Sequence, residues 1–257
     1  MIISVEYKGL VNFLHRPKIE QFWFHIAEGL SRYFRIEVEG LENIPDSGPA
    51  MIAPNHSGYA GADAVVLSHL ISSRLKRAPK ILAHRAYFES FRLIKEVSQS
   101  FGLEKASIQG GIRILQEGKL LLIFPEAETG NFKPSCERYH LQPFHTGFVR
   151  LSLETQAPII PTLVIGAEES HVNLGQLDFS SWVKGLRVPL PLNLLPLPAK
   201  WKVIFLKPIR LNEGKLSPSS DFASVLSTTK RIRRKMQDRL RVELAKRPYV
   251  YFDSTAH

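Results

Sequence analysis

Short apolar runs alternate along this chain with longer segments whose apolar positions recur at helical spacing. Ala50-Met51-Ile52-Ala53, Leu120-Leu121-Leu122-Ile123-Phe124 and Ile159-Ile160-Pro161-Thr162-Leu163-Val164-Ile165 are too short for core helices and read as buried strands. The pattern predicts strands near 36–39, 50–54, 80–83, 119–124, 159–165 and 201–206. Between them it predicts helices near 17–33, 63–76, 87–99, 107–117, 146–156 and 222–247. Such alternation argues for an α/β fold with a largely parallel central sheet flanked by helices. One domain over 1–257 is expected, with an N-terminal helical segment at 1–35, an α/β core at 36–210 and a basic C-terminal helix at 221–247. Pro208 to Ser220 reads as the linker to that helix, and the chain carries no internal repeat.

Three segments stand apart from the core pattern. Ile19, Phe22, Trp23, Ile26, Leu30 and Tyr33 form the stripe of an N-terminal amphipathic helix, suited equally to a core or to a membrane interface. Phe222, Val225, Leu226, Ile232, Met236, Leu240 and Leu244 form another stripe, packed on the sheet in the simplest reading. Among and after them lie Lys230, Arg231, Arg233, Arg234, Lys235, Arg239, Arg241, Lys246 and Arg247, a basic face. Trp182 to Pro198 mixes prolines with leucines, which excludes a regular helix or a central strand. That segment either lies over the core, covers an apolar chain or dips into lipid.

Composition narrows the partners. The 257 residues carry a formal charge of +10, which favours an anionic partner. An anionic membrane surface fits; nucleic acid fits less well, because no recognised binding motif accompanies the charge. The single cysteine, Cys136, excludes an intrachain disulfide and a cysteine metal cluster. Met1-Ile2-Ile3-Ser4-Val5-Glu6 meets a charge too early for a secretory signal, and no apolar run approaches bilayer-spanning length. The expectation is a cytoplasmic protein, peripheral on the membrane.

Candidate chemistry follows the first strand. Asn55-His56-Ser57-Gly58-Tyr59-Ala60-Gly61-Ala62-Asp63 places a histidine and an aspartate where an α/β sheet exposes its reactive groups. A carboxylate that fixes the imidazole tautomer makes a general base. On one continuous helix the two would sit roughly 10 Å apart along the axis, too far to bond. Gly58 and Gly61 allow the chain to turn, so His56 is expected on a loop and Asp63 in the first helical turn. An ordinary strand-to-helix turn would read the same way. No G-x-S-x-G elbow supplies a serine nucleophile. The strand at 119–124 runs into Phe124-Pro125-Glu126-Ala127-Glu128-Thr129-Gly130, a polar pocket floor expected beside the first strand.

Taken together, these segments resemble the glycerolipid acyltransferase family. Its blocks are an Asn-His with a nearby Asp, a Phe-Pro-Glu-Gly, and a Pro-bounded apolar strand, here Ala157 to Gly166. Tyr139 to Phe148 and Leu197 to Trp201 also resemble its bacterial branch. Six residues separate His56 from Asp63, against the commoner four. Ala127 replaces the glycine, Glu128-Thr129-Gly130 stands where an arginine is usual, and Phe101 to Ala106, at the place of a further block that normally carries an arginine after a glycine, offers only Lys105.

The resemblance implies transfer of a fatty acyl group from a thioester, acyl-CoA or acyl-carrier protein, to the hydroxyl of a lysophospholipid-like lipid acceptor. His56 and Asp63 would be catalytic, and Glu126, Thr129 and Gly130 substrate-binding, with no metal or resident cofactor. The missing arginines imply that a phosphate on the acceptor is dispensable, unless Lys105, Lys133 or Arg138 compensates. Two alternatives stay open: a catalytically silent lipid-binding protein on the same fold, or a lipid or thioester hydrolase.

Overall fold

The computed structural model describes residues 18–57, 61–83, 102–178, 187–211 and 217–252. Its elements in chain order are α1 (Lys18–Tyr33), β1 (Glu37–Glu39), β2 (Ala50–Pro54), α2 (Ala62–Leu75), β3 (Lys80–Ala83), β4 (Leu103–Lys105), α3 (Ile108–Gln116), β5 (Leu120–Leu122), α4 (Ala127–Asn131), α5 (Gly147–Thr155), β6 (Ile159–Ile165), α6 (Ala167–Ser170), β7 (Asn173–Asp178), β8 (Arg187–Pro191), β9 (Lys202–Phe205) and α7 (Phe222–Ala245). The helix expected at 87–99 lies outside the described residues.

The main sheet has seven strands in the order β1-β9-β6-β2-β5-β3-β4. Five run parallel, from β6 to β4. β9 pairs antiparallel with β6 and carries β1 parallel to itself, so these two run the other way. The largely parallel α/β architecture read from the sequence is the one observed.

Strand alternation divides the core. Ala50 and Ile52 face one side with Leu120, Leu122, Ile160 and Val164, under Val66, Leu67, Leu70 and Ile71 of α2. Met51 and Ala53 face the other with Leu121, Ile159 and Leu163, under α3, α5 and α7. With both faces covered, the central strands read as unbroken apolar runs. Phe34 stacks on Trp201 with ring centroids 4.3 Å apart, closing the first side at the sheet's β1–β9 end.

Val225, Ile232, Met236 and Leu240 of the C-terminal stripe are buried against the sheet as expected, whereas Phe222, at the start of α7, is exposed. The N-terminal helix is present, but the side chains of Phe22 and Trp23 lie outside the described residues. The described part of the proline-rich segment forms neither a helix nor a central strand. Its described part makes β8, which pairs antiparallel with β7 in a separate two-stranded ribbon. Residues 182–186 lie outside the description.

Candidate active site

β2 sits between β5 and β6, and all three are parallel, so their carboxyl ends open onto one edge of the sheet. Chain leaving those ends supplies His56 from β2, Glu126 from β5 and Glu168 from β6. This is the crevice where open α/β sheets bind ligands.

Asn55 prepares the exit of β2. Fully buried, its amide Nδ2 donates to Val164 O at 3.0 Å and its Oδ1 accepts from Val164 N at 2.7 Å. The side chain thereby continues the β2–β6 ladder while the main chain turns away. His56 then leaves the sheet on a loop, and Asp63 lies in the first turn of α2. Gly61, at φ 80°, makes the left-handed turn between them.

The two side chains meet. His56 Nδ1 lies 2.7 Å from Asp63 Oδ2. The same oxygen accepts from Ser57 N at 2.9 Å, and Oδ1 accepts from Ala64 N at 2.8 Å. These bonds lock the fully buried carboxylate in one rotamer. The bond to a carboxylate, which can only accept, makes Nδ1 the protonated nitrogen and leaves Nε2 able to accept a proton. Phe124 stacks on the imidazole with centroids 4.1 Å apart.

Glu126 braces this pair. Its Oε1 accepts from His56 N at 3.0 Å and its Oε2 from Gln142 N at 2.6 Å. Burial pushes its carboxyl above the ordinary value, while nearby Lys133 and the two backbone donors pull it back. It is fully enclosed, so its contacts give it a hold on the His56 backbone. Thr129 is exposed, and its hydroxyl donates to Glu126 O at 2.6 Å. Gly130 lies against both: a Cβ there would stand 2.6 Å from Glu126 Cβ and 3.1 Å from His56 Cβ. Ala127 takes φ 49°, the left-handed backbone that a glycine adopts without strain.

Beside Ser57 a cleft is lined by Gly130, Lys133, Arg138, Glu168, His171 and Asn173. Lys133 is its buried cation. Its Nζ lies 2.9 Å from Glu168 Oε1 and 3.9 Å from Glu126 Oε2. Glu168 also accepts from Tyr139 N at 2.9 Å, and burial raises its carboxyl to about 7 despite Lys133. Arg138 is exposed at the rim. Lys105 sits on edge strand β4, with β3 and β5 between it and β2. Of the three cations that could replace the missing arginines, the cleft therefore gathers Lys133 and Arg138.

Behind the cleft, Tyr139 receives a bond from Gly166 N at 2.8 Å and donates to the Glu169 carboxylate. Burial and the neighbouring Glu169 hold the Tyr139 phenol well above its usual range. Arg247, just past α7, lies 2.7 Å from both Glu169 oxygens. The C-terminal helix is thus fastened to α6, which carries Glu168.

Sequence reasoning missed Asn55, Glu168 and Glu169. The acidic pair does follow Gly166 at the end of an apolar strand, the same strand-end signal that picked out His56 and Glu126. Asn55 was visible as the first residue of the Asn-His block, but its role was not, because its partner Val164 is distant in sequence.

A family model described as Acyltransferase matches residues 35–165, slightly more than half of the chain. An uncharacterized protein of Mycobacterium tuberculosis is 33% identical over 232 residues, covering 86% of this chain and 64% of that protein. The chain therefore spans less than two thirds of that relative's length. A human protein, "DGAT1/2-independent enzyme synthesizing storage lipids", is 28% identical over 153 residues, 57% of this chain and 45% of its own. The 1-acyl-sn-glycerophosphate (LPA) acyltransferase PlsC from Thermotoga maritima shares the fold, with a TM-score of 0.54 and 14% identity over 91% of this chain and 88% of PlsC. The chain belongs to the acyltransferase family, within the glycerolipid acyltransferases that its sequence blocks resemble.

Proposed function

We propose that this protein moves a fatty acyl group from a thioester, acyl-CoA or acyl-carrier protein, onto the hydroxyl of a lipid acceptor at a membrane surface. The observation that carries the reading is the 2.7 Å bond between His56 Nδ1 and the buried Asp63, at the carboxyl end of β2. His56 Nε2 takes the acceptor's hydroxyl proton as that oxygen attacks the thioester carbonyl. The tetrahedral intermediate collapses, the C–S bond breaks, and the leaving thiolate takes the proton back from the imidazolium. Asp63 stabilises that imidazolium, and Glu126, Thr129 and Gly130 hold His56 in place.

The cleft argues for the class of acceptor. Lys133 is already matched by Glu168 and Glu126, so the interior offers no surplus positive charge for a phosphate monoester. An uncharged or zwitterionic lipid alcohol suits it better, as does the relative named for synthesizing storage lipids.

The test is product analysis with purified protein, each acyl donor in turn, and monoacylglycerol, lysophosphatidylcholine or lysophosphatidic acid as acceptor. The expected result is a new ester with either of the first two, abolished by His56→Ala and cut at least about a hundredfold by Asp63→Asn. Free fatty acid as the only product would make the protein a hydrolase. No donor turnover would leave the lipid-binding alternative. A strict requirement for lysophosphatidic acid would overturn the acceptor reading.

A further inference from the structure

We infer that the leucine- and proline-rich segment 190–198 enters the lipid bilayer and sets the rim of the cleft beside Ser57 at headgroup depth. It rests on the proposed reaction for its purpose and on the geometry below for its existence.

The segment presents carbon to solvent. Leu192 is 70% exposed, and Leu194 and Leu195 are each 82% exposed. No charged residue occurs from Val188 to Ala199. An exposed apolar patch of this kind marks a surface made to leave water.

Its backbone is prepared for that step. Pro189, Pro191, Pro196 and Pro198 carry no N–H to strip of water. Leu192 N donates to Val172 O at 2.8 Å, and Leu197 N to Ser170 O at 2.7 Å. The His171 ring donates to the Leu194 carbonyl. Asn193 is the only polar side chain of the segment, and its amide is used internally. Oδ1 accepts from Val172 N at 2.8 Å, while Nδ2 donates to Ser170 O at 3.0 Å and Leu195 O at 2.6 Å. Unpaired polar groups are the main cost of entering hydrocarbon, and this segment has spent most of its own.

Position ties the segment to the site. Its partners Ser170 and Val172 flank His171, which lines the cleft together with Asn173. Asn173 in turn pairs with Pro191 across the ribbon. The exposed leucines therefore stand on the outer wall of the cleft.

A bilayer suits this surface better than a protein. The flank nearest α1 carries exposed Tyr33 and Arg35, whose side chains donate to Pro196 O at 2.7 Å and Pro198 O at 2.6 Å. Leucine at the tip with tyrosine and arginine at the base is the gradient of a membrane interface. The formal charge of +10 complements anionic headgroups.

The test uses the whole chain with vesicles of phosphatidylcholine and phosphatidylglycerol, three to one. In a Cys136→Ser background, Leu194→Cys and, as control, exposed Phe222→Cys carry an environment-sensitive fluorophore. Expected is a blue shift at position 194, quenched by nitroxide-labelled acyl chains, and none at position 222. Leu192→Ser/Leu194→Ser/Leu195→Ser should float at least tenfold less than wild type in 1 M salt. A probe at 194 that stays in water on bound protein, a triple variant that floats like wild type, or a leucine patch buried in a dimer would each overturn the inference. None of these readouts needs acyl transfer, so a failed reaction and a failed insertion are told apart.

Discussion

At the scale of single residues the site is held by a few close approaches. Ala127 ends the turn closed by its N–H on Phe124 O at 3.1 Å, with Pro125 at the second position, and takes the left-handed backbone there. A β-carbon in that region costs about 1 kcal/mol. Ala127→Gly should therefore raise stability by up to about 1 kcal/mol, read as a higher urea midpoint with the same slope. The sequence showed the missing glycine, and the structure shows that the backbone kept the glycine's conformation. Gly130→Ala should do the reverse for function. Its new methyl meets two β-carbons, neither the far end of a flexible side chain, so His56 must shift. A displacement of this order costs about a hundredfold in rate. The expected outcome is a large loss of kcat with circular dichroism unchanged. Glu168 supplies a pH test. Its carboxyl is raised to about 7 by burial, so between the ordinary carboxylate range and pH 7 the folded chain holds a proton that the unfolded chain has lost. Stability from this group is greatest at the acid end of that window and falls as pH rises through it. Relative to wild type, Glu168→Gln should gain in urea midpoint from pH 5 to pH 8.

At the scale of elements, legibility tracked how much of an element's reason lies within itself. β2, β3 and β6 were placed to the residue because both faces of the central strands are apolar and both ends are marked by polar or turn residues. Edge strand β4 was missed: Leu103–Lys105 is too short to show an alternation. The reversed direction of β9 was not legible, since its direction is set by its register with β6 and not by composition. The His56–Asp63 pair was legible because one loop carries both. The Lys133–Glu168 pair was not, because it joins the exits of two strands. Helix α7 shows the same divide. Its basic face looked uniform in sequence, yet Arg233 donates to Leu141 O at 2.9 Å and Arg239 lies 2.9 Å from Glu243, while Arg234 is exposed. Arg233→Glu should cost about 1–3 kcal/mol by breaking a charged hydrogen bond to the loop beside Glu126, and Arg234→Glu should stay within about 0.5 kcal/mol of wild type. Parallel thermal melts decide it. Equal shifts would mean that the Leu141 contact contributes nothing to holding the loop.

At the scale of the whole molecule, charge and apolar surface divide the work of reaching a lipid. Among the described residues no helix is long and apolar enough to cross a membrane. The proposed reaction calls for a lipid acceptor met at a membrane surface. The exposed cations of α7, Lys230, Arg231, Arg234 and Lys235, supply long-range attraction, each worth about 1 kcal/mol near an anionic surface. That attraction is screened over about 8 Å at physiological ionic strength and about 3 Å in 1 M salt. The exposed leucines beside the cleft act only on contact, and salt does not screen them. Binding to anionic vesicles should therefore fall with salt to a plateau above zero. Reversing Lys230, Arg234 and Lys235 together should lower binding in dilute salt and leave the plateau unchanged, because none of them is among the residues that anchor segment 190–198. Flotation across a salt series measures both limits. A plateau that collapses with the charge variant would assign the whole attachment to electrostatics. Neutral vesicles supply the complementary limit: wild type and charge variant should bind them equally and weakly, since only the apolar contact remains.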